Sequence, residues 1–317
     1  MQLAEVLLEQ VLVMMLLAAV GVVLGKRGWV KGDQTHALSN ILLYAVTPCL
    51  IVNAFNRTFE PQGFARFGAA LLLAALANML FTLLSTFWIY RDKRNSNRAV
   101  ERFASDFSNA GYIGIPLVQA TFGTDGVFLL TAYIAVFNVM FWTQGAADMQ
   151  DGWHGISLKR AICTPGVLGV MAGLLLYICP FTLPDILGSA VSYVAGMNTP
   201  LSMIVVGLLI ADLSPRAFLT EKPLYRVACV RLILYPLILL GVLFALHALR
   251  LLPGGTDVAL VTMIAASAPC AAGTTMMALR YQKDAPYAGR IVALSTLCCV
   301  VTVPLMAALS SWALLSV

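Results

Sequence analysis

The sequence predicts an all-α polytopic membrane protein: ten transmembrane helices, folded as two inverted five-helix repeats around a crossover of broken helices four and nine. Three observations carry this. The 317 residues are 60% hydrophobic and 11% charged, with a mean hydropathy of +0.86, outside the range of water-soluble domains. Apolar stretches of about 20 residues, enough for a hydrocarbon core of about 30 Å, recur along the whole length. Two of them are interrupted by prolines flanked by small residues, Pro116 and Pro269, which lie 153 residues apart.

The apolar stretches fall at roughly 3–24, 35–55, 64–90, 99–122, 125–146, 158–179, 184–211, 223–249, 256–280 and 286–315. They are continuous rather than alternating, so nothing points to a β-barrel, and the links are too short for a soluble domain. The first is expected to stay in place rather than be cleaved as a signal peptide. MQLAEVLLEQ has no basic leading region, and Lys26, Arg27 and Lys31 follow the apolar run. Sixteen of the 20 Lys and Arg residues gather on one side of the ten-span arrangement, among them the cluster Arg91, Lys93, Arg94, Arg98 and Arg102. The other side holds Arg57, Arg66 and Arg250, and Arg231 falls inside a span. The positive-inside rule makes the rich side cytoplasmic and puts both termini on the non-cytoplasmic side of the cell (inner) membrane. The net charge of +5 reflects this bias and gives no reason to expect nucleic acid as a partner.

Seven cysteines (Cys49, Cys163, Cys179, Cys229, Cys270, Cys298 and Cys299) lie in or beside apolar spans without metal-ligand spacing, and read as free thiols. The three histidines, His36, His154 and His247, are scattered. No metal and no cofactor is expected.

Matching features organise the chain into halves, 1–150 and 151–317. Thr47-Pro48 in the second span and Thr199-Pro200 in the seventh repeat at an offset of 152, nearly that of Pro116 and Pro269. Gly21/Gly25 and Gly169/Gly173 are small-xxx-small pairs in the first and sixth spans. An odd number of spans per half makes the second half enter the bilayer upside down.

Proline removes a backbone donor and clashes with the preceding turn, and it is favoured at the first position of a helix. Pro116 and Pro269 are therefore expected to begin second half-helices, each preceded by an unwound turn. The two half-helix N-termini would face each other near mid-membrane, offering free N–H groups and about half a positive charge each, which suits a small anion. The residues around the breaks are the candidate substrate ligands: Ser108, Asn109, Gly111, Tyr112, Gly114 and Pro116 at the first, Ser267, Pro269, Cys270 and Thr274 at the second. Asn109 can donate its amide to a substrate oxygen while its carbonyl serves the unwound backbone, or it can tie two crossing helices together. For Ser267, Thr274 and Thr275, bonding back to their own helix is the plainer reading. Asn53 and Asn138 can line a cavity or join helices.

Asp106 and Arg231 lie too deep to be loop residues. Either they form a structural charge pair, or Asp106 titrates or binds a cation and couples transport to an H+ or Na+ gradient; Arg102 competes as its partner.

Three segments, SNAGYIGIPLVQATFG (Ser108 to Gly123), NTPLSMIVVGLLIA (Asn198 to Ala211) and RLILYPL (Arg231 to Leu237), resemble the auxin efflux carrier family, which includes bacterial malonate and malate carriers and the plant PIN-type auxin exporters. The resemblance covers nearly the whole chain. It implies the crossover fold shared with NhaA-type antiporters and bile-acid symporters, a scaffold of helices 1, 2, 6 and 7, and a mobile bundle of helices 3–5 and 8–10. It also implies an anionic substrate beside the residues that Asn109, Pro116 and Pro269 match, and a homodimer formed through the scaffold. The two glycine pairs could serve that dimer or pack within one subunit. The long central cytoplasmic loop of the longer plant carriers is missing here, so regulation through it does not transfer.

The function expected is therefore a secondary active or potential-driven carrier, an exporter of a small organic anion such as a mono- or dicarboxylate, working by an elevator form of alternating access. A cation/proton antiporter of related fold is the alternative, though both breaks lack acidic residues. An ATP-driven pump, an enzyme, a sensor and a channel each lack their signature: a Walker A loop, an acid/base cluster, an output domain and a charged ring or filter.

Overall fold

The computed structural model describes residues 2–92, 95–154, 156–179, 182–211, 221–245 and 252–315. Lys93, Arg94, Arg216, His247 and Arg250 of the charge and histidine tallies lie outside the described residues, as does the side chain of Arg160. Among the described residues every regular element is helical, and the one β-type contact is an isolated bridge between Ser108 and Cys270.

Seven helical stretches are long and apolar enough to cross a membrane: Glu5–Lys26, Gly32–Phe55, Pro61–Ile89, Ala110–Met149, Asp185–Ala211, Lys222–Ala245 and Ala285–Leu315. Two shorter apolar helices, Pro165–Ile178 and Gly255–Ser267, accompany them. Large apolar side chains stand on the outside (Leu16, Leu72, Tyr193, Val301 and Trp312 are all exposed), while charged residues such as Glu101 and Arg231 are buried. That inverted distribution is what a lipid solvent selects, and the protein is a multi-pass membrane protein.

In chain order the helices are α1 (Gln2–Lys26), α2 (Gly32–Ile41), α3 (Thr47–Phe55), α4 (Pro61–Leu84), α5 (Arg98–Asp106), α6 (Ile115–Met140), α7 (Ala146–Met149), α8 (Leu158–Ile162), α9 (Pro165–Ile178), α10 (Asp185–Gly196) and α11 (Asn198–Ala211). After them come α12 (Lys222–Cys229), α13 (Tyr235–Ala245), α14 (Gly255–Ser267), α15 (Gly273–Arg280) and α16 (Ala285–Leu315). Within α6, Gly123 adopts φ 60° and ψ −151°, a conformation open to glycine but not to L side chains, so the chain turns there and starts a new helix.

Three prolines are accommodated in one way. Pro48, Pro116 and Pro236 each occupy the second position of an α-helix directly preceded by a π-helical turn: Leu42–Val46, Ala110–Gly114 and Val230–Leu234. A wider turn moves the carbonyl that the proline ring would strike, and the missing N–H then costs little. Pro304 lies inside an unbroken α16. Proline alone therefore does not break these helices.

α1 packs along α11, and α3 against α9 and α10; α4 packs against α6, and α14 against α4, α6 and α16. The α1–α11 crossing is backbone to backbone, because a Cβ on Gly21 would strike the Ile204 carbonyl and one on Gly207 the Ala18 carbonyl. Gly25 faces Ala211, Gly169 faces Pro48 and Ile51, and Gly173 faces Phe55. Both small-residue pairs are thus used inside the subunit.

Candidate functional site

The crossing lies where α5 and α14 end. Phe107–Asn109 and Ala268–Ala272 leave the helical path and pair antiparallel. Asn109 N–H donates to the Pro269 carbonyl at 2.7 Å, and Ala271 N–H donates to the Phe107 carbonyl at 2.9 Å. Each unwound strand supplies the backbone partners that the other would otherwise lack in an apolar medium, where an unpaired group is costly. Pro269 sits where only its carbonyl is needed. The expectation that Pro116 and Pro269 begin the second half-helices needs correcting. Helical structure resumes at Ala110 and at Gly273, six residues before Pro116 and four after Pro269. The reciprocal pairing fixes the breaks, whereas Pro116 accounts for the π turn.

The two sides of the crossing differ. On one side α5 and α14 end with carbonyl groups that no helix satisfies. Arg231, fully buried, fills that space. Its Nη1 donates to the carbonyls of Ser105 (3.0 Å) and Asp106 (3.4 Å), its Nε to that of Ala268 (3.1 Å), and its Nη2 to that of Ala266. The guanidinium also lies over the Phe81 ring, 5.3 Å from its centroid. Arg231 has no carboxylate ion pair among the described residues; the partial negative charge of two helix C-termini is its counter-charge.

On the other side the second halves begin. Asn109 is the N-cap of the first: its Oδ1 accepts from Tyr112 N–H at 3.4 Å, while its buried Nδ2 has no partner among the described residues. The N–H groups of Ala110, Gly111, Ala272 and Gly273 likewise find no acceptor among the described residues. Gly111 has open space where a Cβ would stand, and Gly114 lets the turn approach the backbone of Ala265 on α14. The Tyr112 ring packs against Leu42, Val46 and Val205, and its carbonyl accepts from the Ser202 hydroxyl of α11 at 3.3 Å. One turn earlier on the same face of α11 is Asn198, 2% exposed, with neither its amide nitrogen nor its oxygen hydrogen-bonded among the described residues.

The remaining candidates are placed as follows. Ser108 shares a hydrogen bond with Tyr133 at 3.3 Å, and Cys270 is buried with its N–H donating to Ser295 Oγ at 3.2 Å. Ser267 is buried at the end of α14, and Thr274 bonds back to the Ala271 carbonyl at 2.7 Å. Asn138 bonds back to Ile134 at 2.8 Å and packs on Gly166 of α9. Asn53 lines a small cavity with Gln119, Thr124 and Ser192.

Asp106 and Arg231 do meet, but not as the charge pair expected of their side chains. Arg231 touches only the backbone carbonyl of Asp106, because its donors are already committed to the helix ends. The Asp106 carboxylate accepts from Ser85 (2.7 Å) and Tyr235 (3.1 Å), and Arg102 Nε stands 3.9 Å away. Arg102 is held more closely by Asp148, at 2.9 Å. Ser85, Tyr235, Asp148, Asn198 and Ser202 were not among the residues singled out in the sequence. Asn198 opens the segment Asn198 to Ala211, and an amide before Thr-Pro in an apolar span is the sequence signal for it. For Asp148 and Ser85 the sequence carries no such signal.

A family described as membrane transport protein matches residues 6–155 and again 153–307. A relative from Methanothermobacter thermautotrophicus, named an uncharacterized transporter, is 24% identical over 301 residues, covering 94% of this chain and 96% of that one. With the match extending over almost its entire length, the chain belongs to the membrane transport protein family, that of the auxin efflux carriers.

Proposed function

We propose that the protein is a secondary carrier for a small organic anion, such as a mono- or dicarboxylate, and that the anion binds on the amide side of the crossing. The observation that carries this reading is the asymmetry around the crossing. The protein supplies its own cation, Arg231, to the carbonyl side, and leaves free donors, the Asn109 amide and four backbone N–H groups, on the other. Donors aimed into an apolar medium favour a carboxylate and disfavour a bare cation, which would need acidic ligands.

In the same proposal the chain makes ten crossings as two inverted halves, 1–150 and 151–317. Residues 110–149 hold the second half of the fourth crossing and all of the fifth, on either side of Gly123. Both termini lie on the non-cytoplasmic side of the inner membrane. α1, α2, α3, α9, α10 and α11 form the scaffold, and the remaining helices form a bundle that carries the site across in elevator fashion. A homodimer would use scaffold faces other than Gly21/Gly25 and Gly169/Gly173, which are already packed. The membrane potential favours anion exit by about 2.3 kcal/mol per charge per 100 mV, so uncoupled transport runs outward; coupling to H+ or Na+ through Asp106 would alter this.

The test is counterflow of mono- and dicarboxylates in proteoliposomes, with pH and sodium gradients imposed separately. Saturable carboxylate exchange is the expected result. Sodium-driven proton movement with no organic substrate would overturn the reading in favour of a cation/proton antiporter.

A further inference from the structure

Two buried carboxylates face one buried guanidinium where α5, α7 and the π turn Ser85–Ile89 meet. Asp106 is 2% exposed, Asp148 8% and Arg102 9%. Arg102 is committed to one of the two acids. Its Nη2 donates to Asp148 Oδ1 at 2.9 Å and to the Thr86 hydroxyl, whereas its Nε stands 3.9 Å from Asp106 Oδ2, beyond hydrogen-bond reach. Gln144 adds a second donor to Asp148 Oδ1 at 2.9 Å. Asp106 meets only hydroxyls, Ser85 at Oδ2 (2.7 Å) and Tyr235 at Oδ1 (3.1 Å). Two buried atoms of the cluster, Arg102 Nε and Asp148 Oδ2, have no partner among the described residues.

The other charged groups on the elements packed around α5 are engaged elsewhere. Glu101 is held by Arg226, by the Tyr287 hydroxyl at 2.7 Å and by Asn95 at 3.0 Å. Arg98 donates to the Tyr90 carbonyl at 2.6 Å, and the Tyr90 hydroxyl shares a hydrogen bond with Ser105. Arg231 serves four carbonyls and touches only the backbone of Asp106. Arg280 lies over Trp142, Arg290 pairs with Glu221 at 3.2 Å, and Lys283 pairs with Asp151 at 3.1 Å. An ionised Asp106 would therefore be a buried charge without a direct cation, which an apolar surrounding disfavours. A proton on Oδ2 removes that charge. Asp106 then donates to Ser85 Oγ, Ser85 donates to the Thr82 carbonyl at 3.0 Å, and Tyr235 donates to Oδ1. Every hydrogen in that chain has an acceptor.

We propose that Asp106, Asp148 and Arg102 form a one-proton site, in which the guanidinium neutralises one carboxylate and a proton taken from water neutralises the other. In this conformation the proton lies on Asp106 and Arg102 on Asp148. The two unpartnered atoms mark the alternative arrangement. With Arg102 Nε closed onto Asp106, Asp148 is released, and its open Oδ2 takes the proton. One acid is ionised and one protonated in both arrangements, so the titration belongs to the pair. Asp106 lies three residues before Asn109, and Arg231 holds its carbonyl, so the exchange bears on the crossing. The site stands on this geometry; its use as the coupling-ion site rests on the carrier reading above.

Infrared spectroscopy of the full-length protein in nanodiscs at neutral pH reads protonated carboxyl groups directly, through a C=O band that shifts in D2O. The wild type should show a band that Asp106→Asn removes. Asp148→Asn should remove it as well, because Arg102 then turns to Asp106 and ionises it. Arg102→Gln should increase the band about 2-fold, since both carboxylates then take a proton. A band that Asp148→Asn leaves unchanged would make Asp106 an isolated buried acid and overturn the shared site. Identical spectra of wild type and Asp106→Asn would overturn it too. Should Arg102→Gln fail to fold, the two Asn variants, which keep the side-chain size, still decide. In proteoliposomes, a pH gradient should drive carboxylate accumulation about 10-fold less in Asp148→Asn than in wild type. A full response by that variant would overturn the coupling role. No carboxylate counterflow by the wild type would overturn the carrier reading and leave the infrared result, and with it the proton site, standing.

Discussion

The two faces of the crossover are built from the same backbone chemistry and finished in opposite ways. Where α5 and α14 end, four carbonyls converge on one fully buried guanidinium. Where the chain resumes at Ala110 and Gly273, the N–H groups and the Asn109 amide have no partner among the described residues. Bilayer interiors do not tolerate unpaired groups of either kind, so in the carrier reading proposed above the unfinished face is the one that the anion completes. The difference teaches that a crossover is polarised by what the protein chooses to satisfy permanently.

The most severe way to break that comparison is to empty the finished face. Arg231→Met, similar in length but uncharged, should cost about 3–5 kcal/mol, because four carbonyls lose their donor. Thermal unfolding in nanodiscs would register it, and transport should vanish with it. A variant that melts like wild type would show that the carbonyls are satisfied by other means.

On the open face the expected effect is functional rather than structural. Asn109→Ala removes a donor from the anion and should lower kcat/KM about 10- to 100-fold. Its melting temperature should fall far less than that of Arg231→Met. Equal losses of stability in the two variants would remove the distinction drawn here.

Asp106 sharpens the comparison because its backbone belongs to the finished face while its side chain points to Ser85 and Tyr235. Asp106→Asn replaces one acceptor oxygen by a donor and should cost about 1–3 kcal/mol. If the carboxylate couples transport to protons, the variant should also lose its response to an imposed pH gradient at unchanged substrate affinity. Flux ratios measured with and without that gradient would report this.

The smallest effect is expected at Gly111. A Cβ there meets open space, so Gly111→Ala should change stability by less than about 0.5 kcal/mol. A small rise in KM for the bulkier anions is the expected functional change, read from the same counterflow assay.

Much of the architecture was legible in the residues because lipid imposes long-wavelength rules. Apolar length is a property of the chain in order, and it located the apolar helical stretches, while Pro116 and Pro269 marked the two interrupted ones. Break positions were less legible. Pro116 marked its helix correctly yet lies six residues past the point where winding resumes, since a proline can be absorbed by a π turn. The binding candidates divided similarly: Asn109 stood out as an amide between small residues, whereas Asn198, Ser202 and the Asp148–Arg102 pair depend on contacts between distant elements.

Composition and order alone thus determined the solvent, the helical class, the family resemblance and the neighbourhood of the crossing. The tertiary structure decided which strand of each broken helix is unwound, that Arg231 serves backbone carbonyls instead of the Asp106 carboxylate, and which glycines are spent on internal packing. Those outcomes turn on contacts between residues far apart in the chain, such as Arg231 with Ser105 or Gly21 with Ile204, and no local pattern encodes such a pairing.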